Sequence, residues 1–139
     1  QRGAWLGHLR RAEAQPIQTT LEFAQVLHAR DDLLAGVAAF LEAYATHGLQ
    51  RIPGLRLIGT AQHKASVLSF VLPGYRTEEI GAALNREGIA VRSGHHCAQP
   101  ILRRFGLEAT VRPSLAFYNT CEEVDALVAV VNRLAHGRR

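Results

Sequence analysis

Three breaking signals divide the chain beyond residue 50 into elements of limited length. They are Pro53-Gly54, Pro73-Gly74 and Gly88. The apolar runs at 55–58, 66–72 and 89–91, which lie between or just after these signals, are too short for helices and suit strands. A fourth run, at 111–118, has the same character. The sequence therefore predicts four short strands.

Helices are predicted where apolar residues recur three and four positions apart. Residues 31–50 show this spacing, with two acids at the start. A second helix is expected from Thr77, which we interpret as an N-cap. A third is expected after Thr120, because Glu123 completes a capping box, and a short one near 100–105.

This order of elements predicts an α+β fold in which helices pack on a small, mostly antiparallel sheet. We assign residues 31–139 to that domain and set residues 1–30 apart as an N-terminal segment. In this segment Thr19 and Glu22 fit a capping box that would begin a short helix. Three further residues would form an apolar face there: Trp5, Leu6 and Leu9.

Composition argues against nucleic-acid and membrane partners. The net charge of +4 comes from 15 arginines and one lysine set against 12 acids. The basic residues are scattered, without the basic stripe and interleaved aromatics of a nucleic-acid surface. No apolar run approaches the roughly 20 residues of a membrane span, and the N-terminus has no signal-peptide pattern. We therefore expect a soluble, cytoplasmic protein.

The nine residues RSGHHCAQP place Cys97 among cationic and polar neighbours, directly ahead of an expected helix. Arg92, His95 and His96 lie within five positions of the thiol, and Gly94 supplies the backbone freedom of a sharp turn. Nearby positive charge and a helix N-terminus both favour a thiolate. We therefore interpret Cys97 as a reactive thiol.

The second cysteine has different surroundings. Cys121 is expected to begin a helix, and the acids Glu122 and Glu123 that follow it disfavour a thiolate. Two cysteines without a CxxC pair predict neither a disulfide framework nor a structural zinc site. No metal site is predicted.

Arg112 is the second candidate for a functional role, because it opens an otherwise apolar strand. An arginine at a strand end can hold a carboxylate through two parallel hydrogen bonds. The alternative is a salt bridge at the rim of the domain with Glu108 or another acid. For Arg112 taken alone, the residues favour the salt bridge.

Two segments resemble group II (Suf-type) cysteine desulfurases. They are GIAVRSGHHCAQP, at 88–100, and VRPSLAFYNT, at 111–120, together with EEVD, at 122–125. The lead-in LQRIPGLRLIG, at 49–59, is also similar. These enzymes belong to the class V aminotransferase-like, fold-type I enzymes that use pyridoxal phosphate (PLP). The resemblance covers roughly 37–134 and implies the fold of their small C-terminal domain.

The resemblance implies that L-cysteine is converted to L-alanine and that its sulfur remains on Cys97 as a persulfide. An acceptor protein then removes this sulfur for iron–sulfur cluster assembly. Arg112 would hold the substrate carboxylate, and Arg92 would line the same pocket. His95 and His96 would support the loop by its geometry and electrostatics. Some similar enzymes also act on selenocysteine, and similar full-length enzymes are homodimers.

In that family PLP is held by a large domain. This domain carries the Schiff-base lysine, an aspartate that faces the pyridine nitrogen and the phosphate-binding groups, none of which we locate here. Lys64 follows a histidine, as in the family's cofactor site, but it falls between two predicted strands and we reject it as that lysine. We therefore do not expect the chain alone to bind PLP covalently or to desulfurate cysteine.

Three functional hypotheses follow. The chain is the small domain of a cysteine desulfurase, as a fragment or as one piece of a split enzyme, or a cofactor-free persulfide carrier, or a degenerate structural module. A carrier needs Cys97 but has little use for an arginine that holds a substrate carboxylate. The presence of Arg112 with Cys97 favours the first hypothesis.

Overall fold

The computed structural model describes the backbone of residues 16–59, 61 and 64–137, and the side chains from residue 29 onward within those ranges. The chain divides into two compact units, residues 1–36 and 37–139. The predicted apolar face of Trp5, Leu6 and Leu9 lies outside the described residues. The predicted helix start at Thr19 is wrong, because the backbone is already helical at Pro16.

Helix α1 runs without interruption from Pro16 to Gln50. The prediction that a new helix begins at Asp31 is wrong, because no glycine or proline between 17 and 35 breaks the helical backbone. Asp31 and Asp32 are instead exposed residues within the helix. The predicted end near residue 50 is confirmed, three residues before Pro53.

Within the described residues, four short strands form one antiparallel sheet in the order β1-β2-β4-β3. They are β1 (Arg56–Leu57), β2 (Phe70–Val71), β3 (Arg92–Gly94) and β4 (Thr110–Arg112). With the helices packed on this sheet, the predicted α+β fold is confirmed. β4 lies inside the sheet between β2 and β3, whereas β3 is an edge strand.

The third strand begins three residues later than predicted, so the expectation of a strand at 89–91 is wrong. Gly88 and Ile89 instead close the C-terminus of the preceding helix. The Gly88 amide donates to the Asn85 carbonyl at 3.0 Å, and the Ile89 amide donates to the Leu84 carbonyl at 3.0 Å. Such bonds satisfy carbonyls at a helix C-terminus. Ile89 and Val91 pack against the core from this connecting segment.

The runs predicted as strands at 66–72 and 111–118 pair over a shorter length than expected. Beyond the ladder, Val67 and Ser114 form an isolated antiparallel bridge. The Leu68 amide donates to the Pro113 carbonyl at 3.1 Å, and the Leu115 amide donates to the Ser66 carbonyl at 2.7 Å. The two segments therefore stay side by side where regular strand geometry is interrupted.

Three shorter helices complete the fold: α2 (Thr77–Arg86), α3 (Gln99–Arg104) and α4 (Cys121–His136). Thr77 is the first helical residue and not the predicted N-cap, since Arg76 has the extended N-cap backbone and its amide donates to Glu79 Oε2 at 2.7 Å. The capping box of Thr120 and Glu123 at α4 is confirmed, with the Glu123 amide donating to Thr120 Oγ1 at 3.3 Å.

The hydrophobic core joins one face of each long helix to the sheet. The fully or almost fully buried side chains include Leu41, Ala45 and Leu49 of α1, Phe70 of β2, Ile80 and Leu84 of α2, Val111 of β4, and Val124, Leu127 and Val131 of α4. Each buried large apolar side chain contributes about 1.5–3 kcal/mol. Among the described helices, none is both long and apolar enough to cross a membrane.

Candidate functional site

A tight turn follows the edge strand β3 and carries Cys97. β3 ends at Gly94, whose φ of +130° is open to glycine and strained for other residues. The Ala98 amide then donates to the His95 carbonyl at 2.8 Å, which closes residues 95–98 into a turn. The predicted need for glycine at position 94 is consistent with this backbone.

His96 and Cys97 both adopt left-handed backbone conformations, with φ values of +52° and +57°. For residues other than glycine this conformation costs about 1–2 kcal/mol each. A local hydrogen bond compensates in part, because the Cys97 amide donates to Nδ1 of His95 at 3.1 Å. The turn is thus held by its own residues in a geometry that an unsupported chain rarely adopts.

Cys97 is an exposed, free cysteine that lies just ahead of α3. α3 begins at Gln99, with Pro100 in its first turn, as the sequence predicts. The described residues therefore do not enclose the thiol, which is accessible to another molecule. Exposure of this kind suits a thiol that receives an atom from one molecule and passes it to another.

Arg92 and Arg112 face each other across the β3–β4 ladder as register partners. Arg92 is exposed, whereas Arg112 is half-buried and its Nε is buried. Like charges directly opposite each other destabilise a sheet, and an anion bound between the two guanidinium groups would offset this repulsion. The structure thus brings together two arginines that lie twenty positions apart in the sequence.

Nε of Arg112 has no hydrogen-bond partner within the described part of the chain. The alternative of a rim salt bridge between Arg112 and Glu108 is not what the structure shows, since Glu108 lies 3.9 Å from Nε of Arg103 instead. Leaving a buried polar group without a partner costs about 1–3 kcal/mol. Among the described residues, Nε of Arg112 is the buried side-chain polar atom that lacks a hydrogen-bond partner.

The His96 ring reaches back from the turn to the sheet. Its Nε2 lies 3.0 Å from the carbonyl oxygen of Thr110 and 3.1 Å from Thr110 Oγ1, and the Ser69 hydroxyl donates to the same Oγ1 at 2.7 Å. Burial lowers the pKa of His96 below its ordinary value, and the charges of Arg112 and Arg92 lower it further, while the bond to Thr110 opposes the shift. The imidazole is therefore held in its neutral form.

Sequence reasoning did not single out Thr110 or Ser69. Thr110 is fully buried, and it is the residue that pairs with Gly94 across the sheet. A threonine next to an apolar strand is ordinary for a sheet, so nothing in the pattern marks it as a partner of the turn. Only the three-dimensional approach of His96 reveals that role.

Cys121 is the first residue of α4 and is half-buried against the core. Glu122 and Glu123 follow it, and hydrogen bonds lower the pKa of both carboxyl groups, from the backbone of the first turn at Glu122 and from the Asn119 side chain at Glu123. The predicted position of Cys121 is confirmed. Among the described residues, no group of three or more His, Cys, Asp or Glu side chains could hold a metal ion.

Lys64 is the only lysine of the chain. It lies in the connection between β1 and β2, and its Nζ is 2.6 Å from Glu42 Oε1 in a largely buried ion pair. An ammonium group committed to a carboxylate in this way does not fit the role of a covalent link to PLP. The residues present therefore do not fit a covalently bound PLP.

Comparison with known proteins places the chain in a family. The aminotransferase class-V family matches residues 20–127, most of the sequence, so the chain belongs to that family. It is 59% identical to a cysteine desulfurase of Synechococcus elongatus over 129 residues, 91% of this chain and 20% of the relative. It is 60% identical over 126 residues to a probable cysteine desulfurase of Mycolicibacterium paratuberculosis, 91% of this chain and 18% of the relative.

Solved structures agree with this placement. The apo cysteine desulfurase from Thermococcus onnurineus NA1 matches with a TM-score of 0.71 at 34% identity, over 75% of this chain and 26% of that one. The Escherichia coli cysteine desulfurase CsdA matches with a TM-score of 0.66 at 36% identity, over 71% and 24% respectively. The chain spans about a fifth of the length of its two sequence relatives.

Proposed function

We propose that the chain is the small domain of a PLP-dependent cysteine desulfurase of the group II type, with Cys97 as the nucleophile. In the overall reaction L-cysteine and the Cys97 thiol give L-alanine and the Cys97 persulfide. The C–S bond of the substrate is replaced by a C–H bond and an S–S bond forms, so one sulfur atom moves and no outside oxidant or reductant is needed.

The observation that carries this proposal is the pairing of Arg112 with Arg92 in the ladder of β4 and β3, which leads into the turn of the exposed Cys97. A guanidinium binds a carboxylate through two parallel, charge-assisted hydrogen bonds, so the accessible part of the half-buried Arg112 side chain is suited to the carboxylate of an amino-acid substrate. Arg92, opposite Arg112 in the ladder, supplies a second positive charge toward the same anion. We assign substrate binding to these two arginines.

The proposed nucleophile lies close to the same pair of strands. Cys97 lies three residues beyond the end of β3, which pairs with the strand that carries Arg112. A substrate held by its carboxylate at Arg112 would present its sulfur at a defined distance from that arginine. Holding reactants in a fixed geometry removes much of the entropic barrier to reaction. His95 and His96 support this turn.

PLP would be bound by a domain other than this one, because Lys64, the only lysine of the chain, is paired with Glu42. When bound, PLP supplies the electron sink that weakens the bond to be broken in the substrate. A separate or covalently continuous large domain is the partner that this division of labour requires. A homodimer is the form expected from the resemblance.

The persulfide must also leave the chain. Cys97 is exposed on a turn, so a sulfur-acceptor protein can approach it directly. Transfer to a thiol of the acceptor would restore the Cys97 thiol for another turnover. Delivery to iron–sulfur cluster assembly is the use that we propose for this sulfur, in the cytoplasm.

The test combines the chain with a separately expressed large domain of a related cysteine desulfurase, PLP and L-cysteine. We expect L-alanine to appear together with a persulfide on Cys97. Cys97→Ser should abolish both products, and Cys121→Ser is the matched control that should retain them. If the mixture yields neither alanine nor persulfide while the chain is folded, the proposal is wrong.

A cofactor-free persulfide carrier is the second candidate, which the exposure of Cys97 and the commitment of Lys64 to Glu42 favour. A carrier would take up sulfur from a complete cysteine desulfurase without making alanine. It would also be indifferent to Arg112. Uptake that persists unchanged in Arg112→Met would support the carrier, and loss of alanine formation in that variant would support the enzyme.

A further inference from the structure

The hydrogen bond between His96 and Thr110 ties the cysteine turn to the sheet. Two bonds close the turn locally, from the Ala98 amide to the His95 carbonyl and from the Cys97 amide to Nδ1 of His95. Both are internal to residues 95–98 and cannot fix where the turn sits. His96 Nε2, 3.0 Å from the Thr110 carbonyl, links the turn to another strand.

The chemistry of this contact assigns a tautomer to His96. A carbonyl oxygen only accepts hydrogen bonds, so a bond from Nε2 to the Thr110 carbonyl requires the hydrogen on that nitrogen, whereas the Thr110 hydroxyl, 3.1 Å from the same Nε2, can accept or donate. In the neutral ring Nδ1 then keeps its lone pair. The partner on the sheet is rigid, because Thr110 is fully buried and its hydroxyl accepts a bond from Ser69 at 2.7 Å.

Thr110 also relates the turn to the proposed substrate site. Thr110 and Arg112 lie two positions apart on β4, so their side chains leave the same face of the sheet. Cys97 directly follows the residue that is anchored to Thr110. The anchor therefore sets the spacing between the thiol and the guanidinium along one strand.

We propose that His96 is a positioning residue that acts through Nε2–H···O=C of Thr110 to hold the left-handed turn and thereby fix Cys97 relative to Arg112. The consequence for catalysis rests on the proposed function. The structural anchor does not, since it can be measured without substrate or PLP. This role goes beyond general support of the loop, because it assigns one donor atom and one acceptor.

The test compares two replacements of His96 in the full chain. His96→Gln keeps an amide donor at nearly the reach of Nε2, whereas His96→Leu keeps an apolar side chain and removes the donor. Hydrogen exchange of the Ala98 amide reports on closure of the turn, and the Val131 amide in the buried face of α4 reports on global stability. Ser69→Ala is the control, since it leaves the bond from His96 to the Thr110 carbonyl intact.

We expect Ala98 to exchange about tenfold faster in His96→Leu, the size expected for losing one buried hydrogen bond, and to change less than about threefold in His96→Gln and Ser69→Ala. The Val131 amide measures any loss of global stability in each variant, and the Ala98 rate is compared with it so that local opening of the turn is separated from global unfolding. Equal exchange in wild type and His96→Leu would overturn the proposal. So would a His96→Gln variant as fast as His96→Leu.

A second measurement needs no variant and covers the case in which His96→Leu does not fold. Long-range proton–nitrogen NMR correlations of the wild-type ring distinguish the two neutral tautomers. We expect the Nε2–H form of His96, and an Nδ1–H form would overturn the proposal. Persulfide formation on Cys97 is scored separately, so a failed anchor and a failed cysteine desulfurase give different results.

Discussion

The two cysteines of this chain each stand at the start of a helix, yet the two helix starts are built differently. At α4 the Thr120 hydroxyl accepts the Glu123 amide, and Glu123 Oε2 accepts the Thr120 amide at 3.1 Å, so the backbone at Cys121 is capped from both sides. At α3 the N-cap residue is Ala98, which makes no side-chain cap. Cys97 precedes that uncapped start in a left-handed turn.

The two thiols also differ in their electrostatic surroundings. Acids follow Cys121 directly, and Cys121 packs against the core. The neighbour of Cys97 is His96, whose pKa is lowered by burial and by the charges of Arg112 and Arg92. Position at a helix start is therefore shared by both thiols. Exposure and a left-handed turn distinguish Cys97 from Cys121.

The largest expected difference between the regions of Cys97 and Cys121 is the loss of activity on removing Arg112. Arg112→Met deletes the proposed carboxylate clamp, and we expect kcat/KM for L-cysteine in the complemented enzyme to fall about 10- to 100-fold, as for loss of hydrogen bonds to a charged group. Arg104→Met, at an exposed arginine of α3, is the matched control and should stay near wild type.

The same substitution should change stability in the opposite direction to activity. Because Nε of Arg112 is buried without a described partner, Arg112→Met should raise the free energy of unfolding by about 1 kcal/mol. Urea unfolding of the isolated chain measures this value. A fall in unfolding free energy would mean that Arg112 has a stabilising partner and is not a vacant donor.

Gly81→Ala should disturb the strand that leads to Cys97. A Cβ at this position would overlap Oγ of Ser93 on β3, and we expect a loss of about 1–3 kcal/mol in unfolding free energy through overpacking. Combining it with Ser93→Ala should restore most of the loss. Gly36→Ala is the control, since a Cβ there meets nothing within 4 Å and should stabilise α1.

Thr120→Ala removes the side-chain cap at the other helix start. The expected cost is about 1 kcal/mol of unfolding free energy, typical of losing an N-cap hydroxyl. Persulfide formation on Cys97 should be unaffected when the assay is run well below the unfolding midpoint. A variant that is as stable as wild type would show that the capping box does not hold this end of α4.

The smallest expected effect is on the pH dependence of stability. Because the pKa of folded His96 lies below its ordinary value of about 6.5, the unfolded chain binds a proton first as pH falls. The stabilisation is present above pH 6.5 and is lost progressively below it. Unfolding free energies at pH 7.5 and 5.5 should therefore differ more in wild type than in His96→Gln, and equal differences would contradict this assignment.

The sequence predicted best where one local interaction determines the structure. The capping box of Thr120 and Glu123 places the start of α4, and the helix end near residue 50 precedes Pro53 as expected. Prediction from the sequence failed where a neighbouring element competes for the same residues. Ile89 closes the end of α2 by its bond to the Leu84 carbonyl, so β3 could not begin before Arg92.

The candidate site likewise contains residues that the sequence indicated and residues that it did not. Cys97, Arg92 and Arg112 were recognisable because a thiol in a cationic loop and a charge in an apolar strand are unusual patterns. Their partners were not recognisable, since Thr110 and Ser69 are ordinary strand residues that the fold brings beneath His96. The pairing of Arg92 with Arg112 likewise depends on the register of two strands, which no local pattern sets.

The most direct test of this account is to locate the transferred sulfur. After the chain has reacted with a large domain, PLP and L-cysteine, peptide mass spectrometry without reduction distinguishes the Cys97 peptide from the Cys121 peptide. We predict that the added sulfur atom lies on Cys97 and that Cys121 remains a free thiol. Equal labelling of both cysteines, or sulfur on Cys121 alone, would contradict the assignment of Cys97 as the nucleophile.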